Sequence, residues 1–230
     1  MKALSIEELR ALDLFNELKD ETLHKLCFFG IKKTYKKGHV VFRDKEKVNT
    51  MYIVLKGKFS LYKIGEDAKR RVIYILGRDK ILNDVILDDL PASINCEAFE
   101  EGELLLLNKN NFIQCMEEDF NLTKVVLNSL SIKVRRLYRQ LNNTNPNKKI
   151  EKKIASKLWK LSKDYGIKVE EGIEIDLNIS ITYLADMLGS QRETISRSLK
   201  LLEEKGLIRL NNRKIIVKDK DKLARFFKGL

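Results

Sequence analysis

Ser190-Gln-Arg-Glu-Thr-Ile-Ser-Arg-Ser-Leu-Lys-Leu-Leu-Glu-Glu-Lys-Gly206 is the stretch on which the reading of this chain turns. Ile195, Leu199 and Leu202 recur at helical spacing, so the segment is expected to bury one face. The other side carries Gln191, Arg192, Glu193, Ser196, Arg197 and Lys200, and Ser190 and Thr194 complete the candidate set. These side chains hydrogen-bond to base edges and phosphates. Ser190 and Glu193 have the S-x-x-E spacing of a capping box, which predicts the helix start. Upstream, residues 181–188 read as a short helix with Leu184, Met187 and Leu188 inward, and Ala185 is small enough for a second helix to cross closely. Gly189 stands where the chain must turn, and glycine tolerates the left-handed geometry that ends many helices. A helix, a glycine turn and a capped helix with a basic face together predict a helix-turn-helix. A plain helical hairpin with a solvated charged face is the competing reading; the turn, the cap and two arginines together weigh against it.

Working outward, Leu207–Leu210 and Ile215–Val217 are aliphatic runs around Asn211, Asn212, Arg213 and Lys214, the pattern of a tight hairpin. A basic hairpin after a reading helix is a wing, and Arg213 and Lys214 at its tip are candidate phosphate contacts. The charge agrees. The 230-residue chain has a formal net charge of +12, and residues 148–230 hold 20 Lys and Arg against 12 Asp and Glu. A basic module of this kind suits a polyanionic partner.

The rest of the chain excludes several classes. No segment has the length and apolarity of a membrane span, and the first residues carry no signal-peptide pattern, so a cytoplasmic protein is expected. Cys27, Cys96 and Cys115 are widely spaced and form no C-x-x-C pair. They cannot supply the four thiolates of an iron–sulfur cluster. His24 and His39 are the two histidines. There is no nucleophile elbow, P-loop or H-E-x-x-H motif, and Asp88-Asp89 and Glu100-Glu101 read as solvated turns, so the chain does not read as an enzyme.

Residues 5–27 hold short helical patterns anchored by Leu9, Leu12, Phe15, Leu18, Leu23 and Leu26. Between about 30 and 107, short strands (Val40–Phe42, Met51–Leu55, Phe59–Tyr62, Val72–Leu76, Glu103–Leu107) alternate with turn signals, which predicts an antiparallel sandwich or barrel. Thr123, Leu127, Leu130, Val134, Leu137 and Leu141 then follow the 4-3-4-3-4 spacing of a coiled-coil seam, with Lys124, Lys133, Arg135, Arg136 and Arg139 expected outward. The seam predicts a homodimer; packing of the same stripe on its own barrel is the alternative. Asn142–Asn147, with Pro146, breaks that helix. A further helix over 148–165 turns Ile150, Ile154, Leu158 and Leu161 inward, and Trp159 anchors either the C-terminal core or a domain interface. The expected organisation is an effector domain over 1–119, a dimerisation helix over 120–142, a hinge over 143–147 and a DNA-binding domain over 148–230.

In that order, and over essentially its whole length, the chain resembles the CRP/FNR family of bacterial transcription regulators. The resemblance rests on Arg192–Arg197, on Leu184-Ala185 and Leu188-Gly189, and less specifically on Lys37-Gly38, Tyr52–Val54 and Lys56-Gly57. It implies an α+β protein: an N-terminal antiparallel β-roll (a cyclic-nucleotide-binding-like jelly roll), a long dimerisation helix and a C-terminal winged helix-turn-helix. It also implies a homodimer on a palindromic promoter site, contact with RNA polymerase, base contacts at Arg192, Glu193, Ser196 and Arg197, and a signal felt in the roll. An i,i+4 pair between Glu193 and Arg197 is expected to orient the arginine. The family's cyclic-AMP pocket falls on residues 81–93, where Asn83, Asp84, Ala92 and Ser93 are the candidate effector contacts. Its phosphate-holding arginine is Ala92 here, which disfavours cyclic AMP. Haem held by His24, His39 or a cysteine, another metabolite, thiol chemistry, or no ligand at all stay open. The alternative function is a β-roll binding protein whose C-terminal domain mediates protein contacts.

Overall fold

The computed structural model describes the backbone of residues 4–65, 68–143, 149–211 and 214–229, and the side chains of all of these except 139–143. The chain divides into two compact bodies, Met1–Ile64 with Val72–Tyr138, and Gly65–Arg71 with Arg139–Leu230.

The first body opens with α1 (Ile6–Arg10), a 3-10 turn at Asp13–Phe15 and α2 (Asp20–Phe29). A capping box does form here: the Ser5 hydroxyl accepts from the Glu8 backbone N–H at 3.1 Å while the Glu8 carboxylate accepts from the Ser5 N–H at 3.3 Å. All six predicted apolar anchors of this region are buried. The strands that follow are β1 (Ile31–Tyr35), β2 (Val40–Phe42), β3 (Thr50–Lys56), β4 (Phe59–Ile64), β5 (Arg70–Leu76), β6 (Asn95–Ala98) and β7 (Gly102–Asn108). They form two sheets, β1-β7-β3 and β2-β6-β4-β5. Met51, Ile53, Leu105 and Leu107 of the first sheet share one core with Phe42, Phe59, Leu61 and Cys96 of the second. Gly57 makes the tight exit from β3 possible: its φ is +77°, and a Cβ there would stand 2.5 Å from the Glu101 carbonyl oxygen. Strand β6 has no sequence signature, because it is four residues long and half polar. Pairing with β2 on one side and β4 on the other makes it a strand.

After β7 come α3 (Lys109–Glu118), capped by the Asn108 side chain, and α4 (Phe120–Asn143). Asp119 joins three elements. Its carboxylate accepts from the Lys19 N–H and the Thr22 hydroxyl at 2.9 Å each and from the Asn121 N–H at 3.0 Å. Burial pushes this carboxyl up, but those donors outweigh it and hold it below its ordinary value of 3.8. Its stabilisation is therefore complete above that value and fades as pH falls through the lowered one. We expect Asp119→Ala to cost about 3 kcal/mol at neutral pH, since it orphans buried donors. The loss, read by urea unfolding, should shrink in acid; a pH-independent loss would show that the carboxylate charge is irrelevant.

Leu122 and Val126 of α4 are buried against the roll, and Leu130 packs partly against the same core. Lys133 corrects the sequence reading. It was expected outward, but its side chain turns into the roll and is 14% exposed, because Asp84 lies beneath it.

The second body holds α5 (Ile150–Asp164), β8 (Gly166–Val169), β9 (Gly172–Ile175), α6 (Ile181–Leu188), α7 (Arg192–Glu204), β10 (Ile208–Asn211), β11 (Lys214–Val217) and α8 (Lys220–Lys228). Its sheet runs β10-β11-β9-β8, so the predicted wing is half of a larger structure. The β8–β9 hairpin carries no burial alternation in β8, every residue of which is exposed, and it escaped the sequence reading for that reason. Ile154, Leu158 and Leu161 of α5 are buried, while Ile150 is only partly so. Trp159, half-buried, meets the half-buried Phe227 of α8 edge to face at 6.1 Å, a contact within this body. The expected hinge over 143–147 lies outside the described residues except for Asn143, the last residue of α4.

Candidate nucleic-acid interface

Both helices of the predicted reading unit form, the first with the expected bounds and the second with a changed start. Ser180 caps α6, its hydroxyl accepting from the Tyr183 N–H at 3.0 Å. Gly189 ends α6 in the left-handed region at φ 61°, ψ 41°. The capping box expected from Ser190 and Glu193 is absent. The N-cap of α7 is Gln191, which makes no side-chain cap bond, and the Ser190 N–H is instead spent on the Ala185 carbonyl at 3.1 Å. Closing the glycine turn uses Ser190, so α7 begins one residue later than the motif implied.

A Cβ at Gly189 would meet nothing within 4 Å, so the glycine is needed for its backbone angles alone. We expect Gly189→Ala to destabilise by about 1–2 kcal/mol and Gly189→Asn by less, because asparagine tolerates this region. Denaturant unfolding of the two variants checks the order; equal losses would point to packing instead.

Helix α7 separates two faces. At 3.6 residues per turn, Glu193, Ser196, Arg197 and Lys200 lie on one side and Ile195, Ser198, Leu199 and Leu202 on the other. The second set is buried; Gln191, Arg192, Glu193, Arg197 and Lys200 are exposed, with Thr194 and Ser196 half-buried between. Among the described residues no ion pair joins Glu193 to Arg197, contrary to expectation. Both groups therefore point to solvent as separate donor and acceptor. The Glu203 carboxylate ties the end of α7 to the wing by accepting from the Leu210 N–H at 2.7 Å. In the wing, Asn211 stands opposite Lys214, and Lys214 is ion-paired with Glu174 of β9. That partner holds the Lys214 ammonium above its ordinary range. Arg213, the other predicted wing contact, lies outside the described residues.

Comparison with known proteins extends this geometry. Residues 152–226 match the model of the Crp-like helix-turn-helix domain, and residues 32–119 match that of the cyclic nucleotide-binding domain. The chain belongs to the CRP/FNR family of transcription regulators. It is 21% identical over 198 residues to the CRP-like cAMP-activated global transcriptional regulator of Mycobacterium tuberculosis, spanning 83% of this chain and 85% of that one. It is 25% identical over 204 residues to the global nitrogen regulator of Nostoc sp., spanning 87% and 91%. A solved CooA mutant from Carboxydothermus hydrogenoformans superposes with a TM-score of 0.77 at 21% identity, covering 99% of this chain and 97% of that one. The fold is thus α+β with an antiparallel β-roll and a C-terminal helix-turn-helix, and the protein is a DNA-binding transcription regulator of the CRP/FNR type.

Within this CRP/FNR chain the candidate effector residues have structural partners. The Asn83 side chain accepts from the Tyr52 N–H at 2.9 Å and donates to the Thr50 carbonyl at 2.7 Å, which stitches it to the edge of β3. Asp84 is buried beneath α4, Ala92 is buried, and Ser93 is exposed. None of the four lines the cleft of about 350 Å³ that lies between the Asp13–Leu18 segment and α4, where Asn128, Lys133 and Arg136 face it. Sequence reasoning had no access to this cleft, whose walls are far apart in the chain. His24 and His39 are both exposed, and neither lines the cleft.

On α4, Leu127 is 53% exposed, Val134 42% and Leu137 44%, with Tyr138 beside them at 63%. Leu130, placed in the same predicted seam, dips partly into its own roll, and the Leu141 side chain lies outside the described residues. No helix among the described residues is long and apolar enough to cross a membrane.

Proposed function

We propose that two copies join along α4 and present two α7 helices to successive major grooves of a palindromic promoter site, about 34 Å apart on double-stranded DNA. The observation that carries this reading is the exposed face of Arg192, Glu193, Arg197 and Lys200, set directly behind a glycine turn and backed by a fully buried stripe. Arginine grips guanine O6 and N7 with two parallel hydrogen bonds, and glutamate accepts from a cytosine amino group. Gln191, Ser196 and Thr194 add shorter contacts, and Ser190, Arg213 and Lys214 reach phosphates. Leu127, Val134 and Leu137 supply the seam between copies. Bound to the promoter, the dimer recruits or blocks RNA polymerase according to where the site lies. Cyclic AMP does not fit residues 81–93 as the signal, since Ala92 offers no charge to a cyclic phosphate.

Selection of duplexes from a random pool by the purified full chain tests this. The expected product is an inverted repeat whose half-site centres are one helical turn apart, bound with a steep salt dependence. Enrichment of no duplex would overturn the reading.

A further inference from the structure

A closely knit polar cluster of the first body lies between the roll and α4. Three oxygens converge on the Lys133 ammonium: Asp84 Oδ1 at 2.6 Å and the carbonyls of Ile81 and Leu82 at 2.9 and 3.5 Å. The other carboxylate oxygen of Asp84 accepts from the Ser129 hydroxyl at 2.6 Å. Ser129 and Lys133 are one turn apart on α4, so they grip the same carboxylate from one face. The Tyr74 hydroxyl donates to the Lys133 carbonyl at 3.1 Å. The Asp84 side chain is 0% exposed.

The cradle is anchored below. Asp84 heads the short 3-10 helix Asp84–Asp88, and the residues just before it run along the edge of β3, where Leu82 N–H donates to the Tyr52 carbonyl and Val54 N–H to the Lys80 carbonyl, each at 2.9 Å. Lys133 thus fixes the position of α4 against a sheet edge. Burying two charges costs several kcal/mol per ion, and apolar residues of similar volume often hold a fold as well or better. An ion pair at such a place therefore contributes direction and register more than stability.

We propose that Lys133 is a built-in ligand of the β-roll: its ammonium fills an oxygen cradle, sets the register of α4, and leaves the protein competent to bind DNA with no added small molecule. The proposal rests on the reading that α7 binds DNA and α4 pairs two copies, and it states how that activity is set. The cradle is built for a primary ammonium, and its occupant comes from the chain itself.

The test uses the dialysed full chain and the duplex it enriches from a random pool. Wild type should bind that duplex without additives. Lys133→Ala should bind about tenfold more weakly, within the range of ordinary allosteric coupling. Propylammonium, whose four heavy atoms match those removed, should restore binding. The double variant Asp84→Leu/Lys133→Met, which keeps an apolar pair and the fold, should bind weakly and ignore the amine. A folded Lys133→Ala that binds within twofold of wild type overturns the proposal, as does a wild type that binds only after a metabolite is added. Where Lys133→Ala does not fold, the double variant decides alone: weak binding supports the latch, and wild-type affinity reduces the pair to structural support. A wild type that enriches no duplex overturns the DNA reading and the proposal with it.

Discussion

Aspartate at both Leu127 and Val134 will separate the dimer and abolish tight binding to an inverted repeat. The two side chains are seven residues apart, 53% and 42% exposed, and stand about a third of a turn round α4 from the buried Leu122 and Val126. Carboxylates there leave the roll contacts intact but place like charges across the proposed seam, where pairing would have to desolvate them. The specific site is worth roughly 4–10 kcal/mol over random DNA. Losing one of two half-sites should remove about half of that, so the variant should retain little more than salt-sensitive, sequence-independent binding. Sedimentation and duplex titration read the two effects separately. A variant that remains dimeric at micromolar concentration would place the contact between copies elsewhere.

Arg197→Ala is expected to have the next largest effect. The side chain is exposed, free of any ion pair among the described residues, and sits at the middle of the polar face of α7. A bidentate contact with guanine contributes about 1–3 kcal/mol of discrimination, and two readers per dimer double it to about 2–6 kcal/mol. The loss should fall on the selected duplex and spare a scrambled one. Lys200→Ala should instead weaken both alike and lower the salt slope by about one unit. Equal losses on both duplexes for Arg197→Ala would reduce that residue to a phosphate contact.

Much of the architecture was legible because burial leaves a period in the sequence. Ile195, Leu199 and Leu202 recur at helical spacing and are all buried; so are the six anchors from Leu9 to Leu26. Gly189 was legible because its backbone angles exclude most other residues. Elements without a period were not. Strand β6 has its place only through the strands on either side, and β8 has no buried residue at all. The capping box at Ser190 failed because a local motif competes with the turn before it, and the Ser190 N–H went to Ala185.

By itself the sequence determined where the periodic helices and strands run, which stripe of each is apolar, and that a basic reading helix follows a glycine turn. These are properties of residues near one another along the chain, set by backbone geometry and side-chain polarity. Only the tertiary structure decided that Lys133 turns inward. Its partner Asp84 stands 49 residues away, and a lysine among outward basic positions looks like any other until the fold brings a buried carboxylate beneath it. Electrostatic pairing across a fold leaves no spacing to read, whereas hydrophobic burial does.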